Sequence, residues 1–264
     1  MTQILKYPRT RHIEGSKEQF GDSDLEAVPF SELHGEHLVV EEKMDGSNSG
    51  ISFSEDGELL LQSRGHFLTG GPRERHFAVF KTWANMFQGP LFELLGSRHI
   101  MYGEWMYAKH AIFYDDLPHY FLEFDIFDRQ KNRFLSTRNR KAMLKNFPFI
   151  HSVRVLREGR FQKLGDLTGL IGPSYAITTA NRQHLESAVI QNNLDLDRAV
   201  RETDLSGTME GLYIKEEDND SVLGRYKFVR GGFMQAVFEA DGHWHSKPII
   251  PNRLRNERVM YEMV

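Results

Sequence analysis

EEKMDGSN, residues 41–48, decides how the chain is read. Lys43 stands among the acids Glu41, Glu42 and Asp45; Gly46 and Ser47 then bend the chain before Asn48. Two readings fit. A strand-end lysine before a solvated turn has this form, and so does a lysine held in place as a nucleophile. A nucleophilic lysine must be neutral, yet its ordinary pKa is about 10.4. Burial and neighbouring cations lower that value, and carboxylates raise it. With only its sequence neighbours Lys43 is badly tuned. It needs cations from elsewhere in the fold, or a metal that offsets the acids.

Outward from this stretch, residues 37–63 read as strand, turn, strand, turn, strand. HLVVEEK leads in, SGISFS alternates Ile51 and Phe53 with serines, Asp56 and Gly57 mark a hairpin turn, and ELLLQSR follows. Phe77, Phe80, Trp83 and Phe87 share one helical face beyond Pro72, which suits a first helical turn. HIMYGEWMY and HYFLEFDIFD read as strands, and Ser136 or Thr137 caps a helix through RNRKAMLKNF. Residues 150–205 read as a small helical insert, and EGLYIKEE and LGRYKFVR as two strands joined by DNDS. The sum is an α+β chain with antiparallel sheets and flanking helices. Its 264 residues suit a single domain, 1–264, with a short C-terminal tail at 231–264.

Composition narrows the chemistry. The net charge is −4, so a nucleic-acid partner needs a local basic face. Cysteine is absent, which excludes disulfides, zinc-thiolate sites and thiol catalysis. MTQILKYPRTRHIEGS lacks an apolar signal core, and no apolar run approaches the roughly 18 residues of a membrane span. A cytoplasmic protein without a membrane partner is expected. No GxxxxGK[ST] occurs, so nucleotide chemistry here needs a site of another design.

The remaining motifs come in a recognisable order. After KxDG at Lys43 come Ser63-Arg64-Gly65, Tyr102-Gly103-Glu104, Phe124-Asp125, Glu210-Gly211 and Arg225-Tyr226-Lys227. Each is weak alone; together, each on a plausible strand, they carry a resemblance. From about residue 35 to 230 the chain resembles the covalent nucleotidyltransferases, ATP-dependent ligases and RNA capping enzymes. It looks most like RNA ligases of the phage nick-sealing and trypanosome-editing type. The resemblance implies an ATP-grasp-like ligase adenylation domain that joins RNA 3′-hydroxyl and 5′-phosphate ends through a lysyl-adenylate on Lys43, with ATP and Mg²⁺ or Mn²⁺. By position Lys227 is the lysine that holds the α-phosphate and helps lower the pKa of Lys43. Glu210 works through the metal and Asn48 joins it there. Glu104 binds the ribose hydroxyls, Arg64 contacts phosphate, Phe124 stacks on adenine and Glu42 reads the adenine amino group. Asp45 completes the cofactor-binding set. Arg225 stands where the family usually has lysine, and counts with the catalytic residues. Too few residues follow Lys227 for an OB-fold, so none is expected. RNA with those ends is the implied partner, with a separate end-processing kinase or phosphatase left open. Two alternatives stay open: an RNA-binding or regulatory module that keeps the nucleotide pocket, and a DNA-joining or capping-type transferase.

Weaker signals remain. KYPRTRH, RERH, TRNRK and NRLRNER are candidate RNA contacts or solvated faces. Tyr107 to His110 could line the nucleotide or RNA groove. His243 and His245 form a lone HxH, a weak metal signal. Leu122, Phe124 and Ile126 alternate, which would turn Asp125 to the opposite face.

Overall fold

Runs such as LVVEE and FLEFDIF, rich in β-branched and aromatic residues and free of Gly and Pro, become the central strands. The computed structural model describes residues 3–17, 26–233 and 248–262. β1 (Arg11–His12), β2 (Leu38–Lys43), β3 (Ser47–Phe53) and β4 (Leu59–Ser63) precede α1 (Ala78–Met86) and α2 (Gln88–Leu95). Next come β5 (His99–Trp105), β6 (Phe121–Asp128), β7 (Arg133–Phe134) and α3 (Thr137–Leu144). β8 (His151–Ser152), β9 (Val155–Gly159), α4 (Leu164–Thr168), α5 (Asn181–Gln191) and α6 (Leu196–Arg201) lead to β10 (Gly211–Glu217) and β11 (Val222–Val229). One sheet has the order β1-β11-β10-β2-β9, the other β4-β3-β5-β6-β7, with β8 also on β6. All pairings are antiparallel except β1 with β11 and β8 with β6. Neither sheet closes into a barrel. The α+β architecture with antiparallel sheets and flanking helices is the one expected.

Local signals explain the connections. Gly57 takes φ +80° in the β3–β4 hairpin, a conformation that costs glycine little. The Ser136 side chain accepts a hydrogen bond from Asn139 N and caps α3. Phe77, Phe80, Trp83 and Phe87 are all buried, against Trp105 and Phe121 of the second sheet. Residues 150–205 differ from the expectation of a helical insert, because they open with β8 and β9 and turn helical only at Leu164. β9 pairs with β2, so this part of the segment widens the first sheet. The helical part has a small core of its own around Leu185, Val189 and Phe113. Asp115 anchors it, accepting hydrogen bonds from Thr178 N at 2.8 Å and Asn181 Nδ2 at 3.1 Å, with His184 Nδ1 at 2.7 Å.

Between the sheets lies a largely buried network of charges. Glu41 on β2 meets Arg140 of α3 at 2.5 Å and Lys215 of β10 at 3.0 Å. Lys215 reaches Asp125 on β6 at 3.2 Å, and Arg225 on β11 reaches the same carboxylate at 3.0 Å. Arg140 also meets Glu123 at 3.3 Å. The three acids and three bases are matched, which offsets the cost of taking each from water. Arg140 is 1% exposed, so this cation of TRNRK belongs to the interior and not to a solvated face. No helix among the described residues is long and apolar enough to cross a membrane. His243 and His245 lie outside the described residues.

Candidate active site

β2 ends at Lys43, opposite Gly211 at the start of β10. That register brings Glu210 to the lysine, with Nζ and Oε2 2.6 Å apart. Three motif glycines allow this closeness. A Cβ on Gly211 would stand 1.9 Å from Phe228 O, one on Gly46 2.8 Å from Trp105 O, and one on Gly103 2.5 Å from the Phe121 ring. The glycines of KxDG, YGE and EG are therefore packing requirements, and any side chain there would push the strands apart.

Around Lys43 opens a cavity of about 440 Å³, within the range of nucleotide-sized sites. Glu42, Lys43, Asn48, Arg64, Glu104, Phe124 and Lys227 line it, and Glu210 reaches it through Lys43. Asn48 and Glu104 are cross-strand neighbours on β3 and β5. Asp45 and Arg225 are placed differently. The Asp45 carboxylate accepts from Ala111 N at 2.7 Å and Ile112 N at 2.8 Å. Arg225 pairs with Asp125 and lies 3.7 Å over the Phe134 ring.

The electrostatics run against a ready nucleophile. Burial, the largest influence, lowers the Lys43 pKa, but Glu210, Glu104 and Asp45 together carry it above the ordinary lysine value. The sequence reading expected a cation to lower it; in the protein alone the carboxylates prevail. Glu104 shows the same crowding: burial lifts it to about 8, against the pull of Lys43 and with the push of Glu210 and Asp45. Burial also lifts Glu42 to about 7, opposed by contacts with Ser174 and Tyr175.

Such crowding suits a divalent cation. The donors at hand are oxygens, and buried Asn48 Oδ1 has no hydrogen-bond partner among the described residues. No three His, Cys, Asp or Glu side chains among those residues form a ready cage. Oxygen donors of this kind suit a hard cation.

The opposite wall comes from a bulge. Tyr102 pairs with Asp125 and Gly103 with Glu123, which leaves Phe124 unpaired between them. The extra residue breaks the alternation expected for β6. Phe124 and Asp125 consequently both reach Tyr7: the rings are 5.1 Å apart, and Tyr7 Oη donates to Asp125 at 2.5 Å. Ile126 instead joins the helix-side core.

Several lining residues escaped the motif reading. Tyr7, Pro8 and Thr10 come from the N-terminal segment, Tyr213 from β10, and His66 from the turn after β4. Tyr213 was within reach of pattern reasoning, since it stands two residues from Gly211 on the same strand face. Tyr7 had no local signal. Of the 107–110 group, His110 lines the cavity, while Lys109 Nζ donates to the carbonyls of His110 at 2.9 Å and Glu202 at 2.8 Å.

Comparison with known proteins sets this site in a family. The RNA ligase family pattern matches residues 36–229. A Naegleria gruberi RNA ligase variant with ATP and Mn is 16% identical, with a TM-score of 0.53 over 86% of this chain and 56% of that one. An archaeal ATP-dependent RNA ligase is also 16% identical, with a TM-score of 0.50 over 85% of this chain and 48% of its own. The chain spans about half the length of the ligase chains it matches. No curated protein matches it. At these identities the structural likeness establishes the fold, while the family pattern covers most of the sequence. With KxDG, YGE and EG meeting at one cavity, the chain belongs to the RNA ligase family.

Proposed function

We propose that this protein is an ATP-dependent RNA ligase that joins 3′-hydroxyl and 5′-phosphate RNA ends through a lysyl-AMP on Lys43. The observation that carries this reading is the placement of Lys43 beside Glu210, at a nucleotide-sized cavity lined by Glu104, Arg64 and Lys227. In the first step Lys43 Nζ bonds to the α-phosphorus. The bond from that phosphorus to the bridging oxygen breaks, and its electron pair leaves with pyrophosphate. The ammonium sheds two protons to the surrounding water on becoming the phosphoramidate. An RNA 5′-phosphate oxygen then bonds to the AMP phosphorus, the phosphorus–nitrogen bond breaks, and Lys43 leaves as the amine, taking its protons back from water. Finally the 3′-hydroxyl attacks that 5′-phosphorus, loses its proton, and AMP leaves.

Each step is a displacement at phosphorus, so the protein's work is positioning and charge neutralisation. Phe124 offers a face for the base and Glu42 an acceptor for its edge. Glu104 takes the ribose hydroxyls. Arg64 and Lys227 meet phosphate oxygens, the arginine with its planar fork. Glu210 and Asn48 would hold Mg²⁺ or Mn²⁺, which supplies positive charge that offsets the carboxylates around Lys43. The RNA ends could be prepared by a separate kinase or phosphatase.

The test is covalent labelling. Purified protein is incubated with α-labelled ATP and Mg²⁺ or Mn²⁺, denatured, and examined for label at 30.7 kDa. Lys43→Ala and labelled GTP run beside it. Label from ATP is expected, falling below about one-thousandth in the variant, as for a lost nucleophile. No label, together with an intact mass that carries no AMP, would overturn the reading.

A further inference from the structure

The loop between β5 and β6 is held as firmly as a strand, although it has no regular structure. Asp45 Oδ2 accepts from Ala111 N and Ile112 N at 2.7 and 2.8 Å, and Asp45 N donates to Tyr114 Oη at 3.0 Å. Lys109 Nζ ties the carbonyl of His110 to that of Glu202 at the end of α6. Buried Asn252 accepts from Tyr114 N at 2.9 Å and donates to Met106 O at 2.7 Å. These ties flank one residue on both sides, and that residue, His110, puts its ring into the cavity. Its Nε2 lies 3.2 Å from Ser47 Oγ.

Ser47 is next to Asn48 and pairs with Trp105, itself next to Glu104. The imidazole therefore stands at the Lys43 and Glu104 end of the cavity, and Phe124 belongs to the opposite wall. Asp45, Lys109 and Lys43 are the charges that act on it. A side chain fixed this closely has its orientation set before substrate arrives, which lowers the entropy cost of each contact it makes.

We propose that His110 is a further substrate-contacting residue, hydrogen-bonding the ribose–phosphate part of the bound nucleotide, and that Asp45 is a positioning residue that acts through it. This rests on the adenylation reading above. It assigns the aspartate of KxDG to holding the loop rather than to binding the nucleotide. It also separates two roles for Asp45 that would otherwise look alike. If Asp45 acts only by its charge, asparagine and alanine change the labelling rate alike. If it acts by accepting the Ala111 and Ile112 amides, asparagine keeps that acceptor oxygen and most of the function.

The experiment is a double-mutant cycle on the single-turnover rate of Lys43 labelling by ATP, with a thermal melt on each variant. Asp45→Ala and His110→Ala are each expected to slow labelling about 10- to 100-fold, the scale of one lost charge-assisted hydrogen bond. The pair together should stay within about threefold of the slower single variant, since both remove the same contact. Asp45→Asn should label at least about tenfold faster than Asp45→Ala or, if Asp45→Ala does not fold, no slower than His110→Ala. His110→Ala labelling at the wild-type rate, a double variant slowed by the product of the two effects, or Asp45→Asn as slow as Asp45→Ala would each overturn the proposal. Should Asp45→Ala fail to fold, His110→Ala and Asp45→Asn still decide. Wild-type protein that takes no label falls with the parent reading, an outcome distinct from any of these.

Discussion

Two charged clusters lie back to back in this fold. One surrounds Lys43 and opens to the cavity; the other joins Glu41, Glu123 and Asp125 to Arg140, Lys215 and Arg225 between the sheets. In the closed cluster each carboxylate meets a cation; burial still carries Glu123 above the ordinary carboxylate value, whereas Asp125, with more cations around it, goes the other way. Burial alone would raise its pKa, but Lys215, Arg225 and Arg140 hold it at about 2. In the open cluster burial and like charges win, and Glu104 stands at about 8. Neighbouring strands build both, so strand composition does not separate them. Charge balance does: the matched cluster joins the two sheets, and the crowded one is where the proposed nucleotide and cation would bind. Strain of this kind costs stability and is kept where function needs it.

The largest expected effect comes from breaking the matched cluster. Arg140→Ala takes from Glu41 and Glu123, both fully buried, the arginine they share, and leaves Glu41 with Lys215. Removing one partner of a buried pair costs about 3–5 kcal/mol, or roughly 10 °C in melting temperature for a domain of this size. Thermal melts in matched buffers check it. A change under about 1 kcal/mol would mean that the network relaxes as readily as the open site, and the contrast between the clusters would be lost.

A smaller effect, of opposite sign in the two regions, appears with pH. Asp125 is lowered from its ordinary 3.8, so its stabilisation is present above that value and is lost as pH falls through about 2. Glu42 is raised from 4.5 to about 7, so folding favours its protonated form. Its contribution is therefore full below 4.5 and is lost as pH rises through 7. Glu42→Gln cannot ionise and keeps an acceptor oxygen. Its stability relative to wild type is expected to rise between about pH 5 and 8 by up to about 3 kcal/mol. Denaturant titrations across that range check it. Parallel curves for the two proteins would show that Glu42 is not desolvated in solution.

The same contrast explains what the sequence disclosed. Lys43, Glu104 and Glu210 were legible because each sits in a short motif beside a glycine that the packing requires, at the mouth of a strand. Glu42 and Phe124 were read from the resemblance, and most of the strands along the chain from local pattern. The closed cluster was not legible. Its charges come from β2, β6, α3, β10 and β11, and nothing in LYIKEE says that Lys215 points inward. Glu41 stands two residues before Lys43, yet it pairs with Arg140 and Lys215. Alternation on β6 could not foresee the bulge that turns Asp125 to the side of Phe124. Nor does any spacing link Asp45 to residues 111 and 112, a contact that exists only once the loop has folded back. Local pattern thus reaches residues whose neighbours are close in the chain, and misses those whose partners are brought together by the sheets.

The smallest expected effect tests the boundary between the clusters. Arg225 occupies the place of a family lysine, but its side chain belongs to the closed cluster: Nε donates to Asp125 at 3.0 Å, and the guanidinium carbon lies 3.7 Å from the Phe134 ring centroid. Lys227, two residues on, faces the cavity. Lysine at position 225 would keep the charge and lose the Nε bond to Asp125 and the guanidinium contact with the Phe134 ring. Arg225→Lys is therefore expected to cost about 1 kcal/mol of stability, with Lys43 labelling held within about threefold of wild type. Melts and labelling rates on the same preparation measure both. A labelling rate that falls tenfold or more with no loss of stability would move Arg225 into the open cluster, and the line between the two regions would then run along the other side of β11.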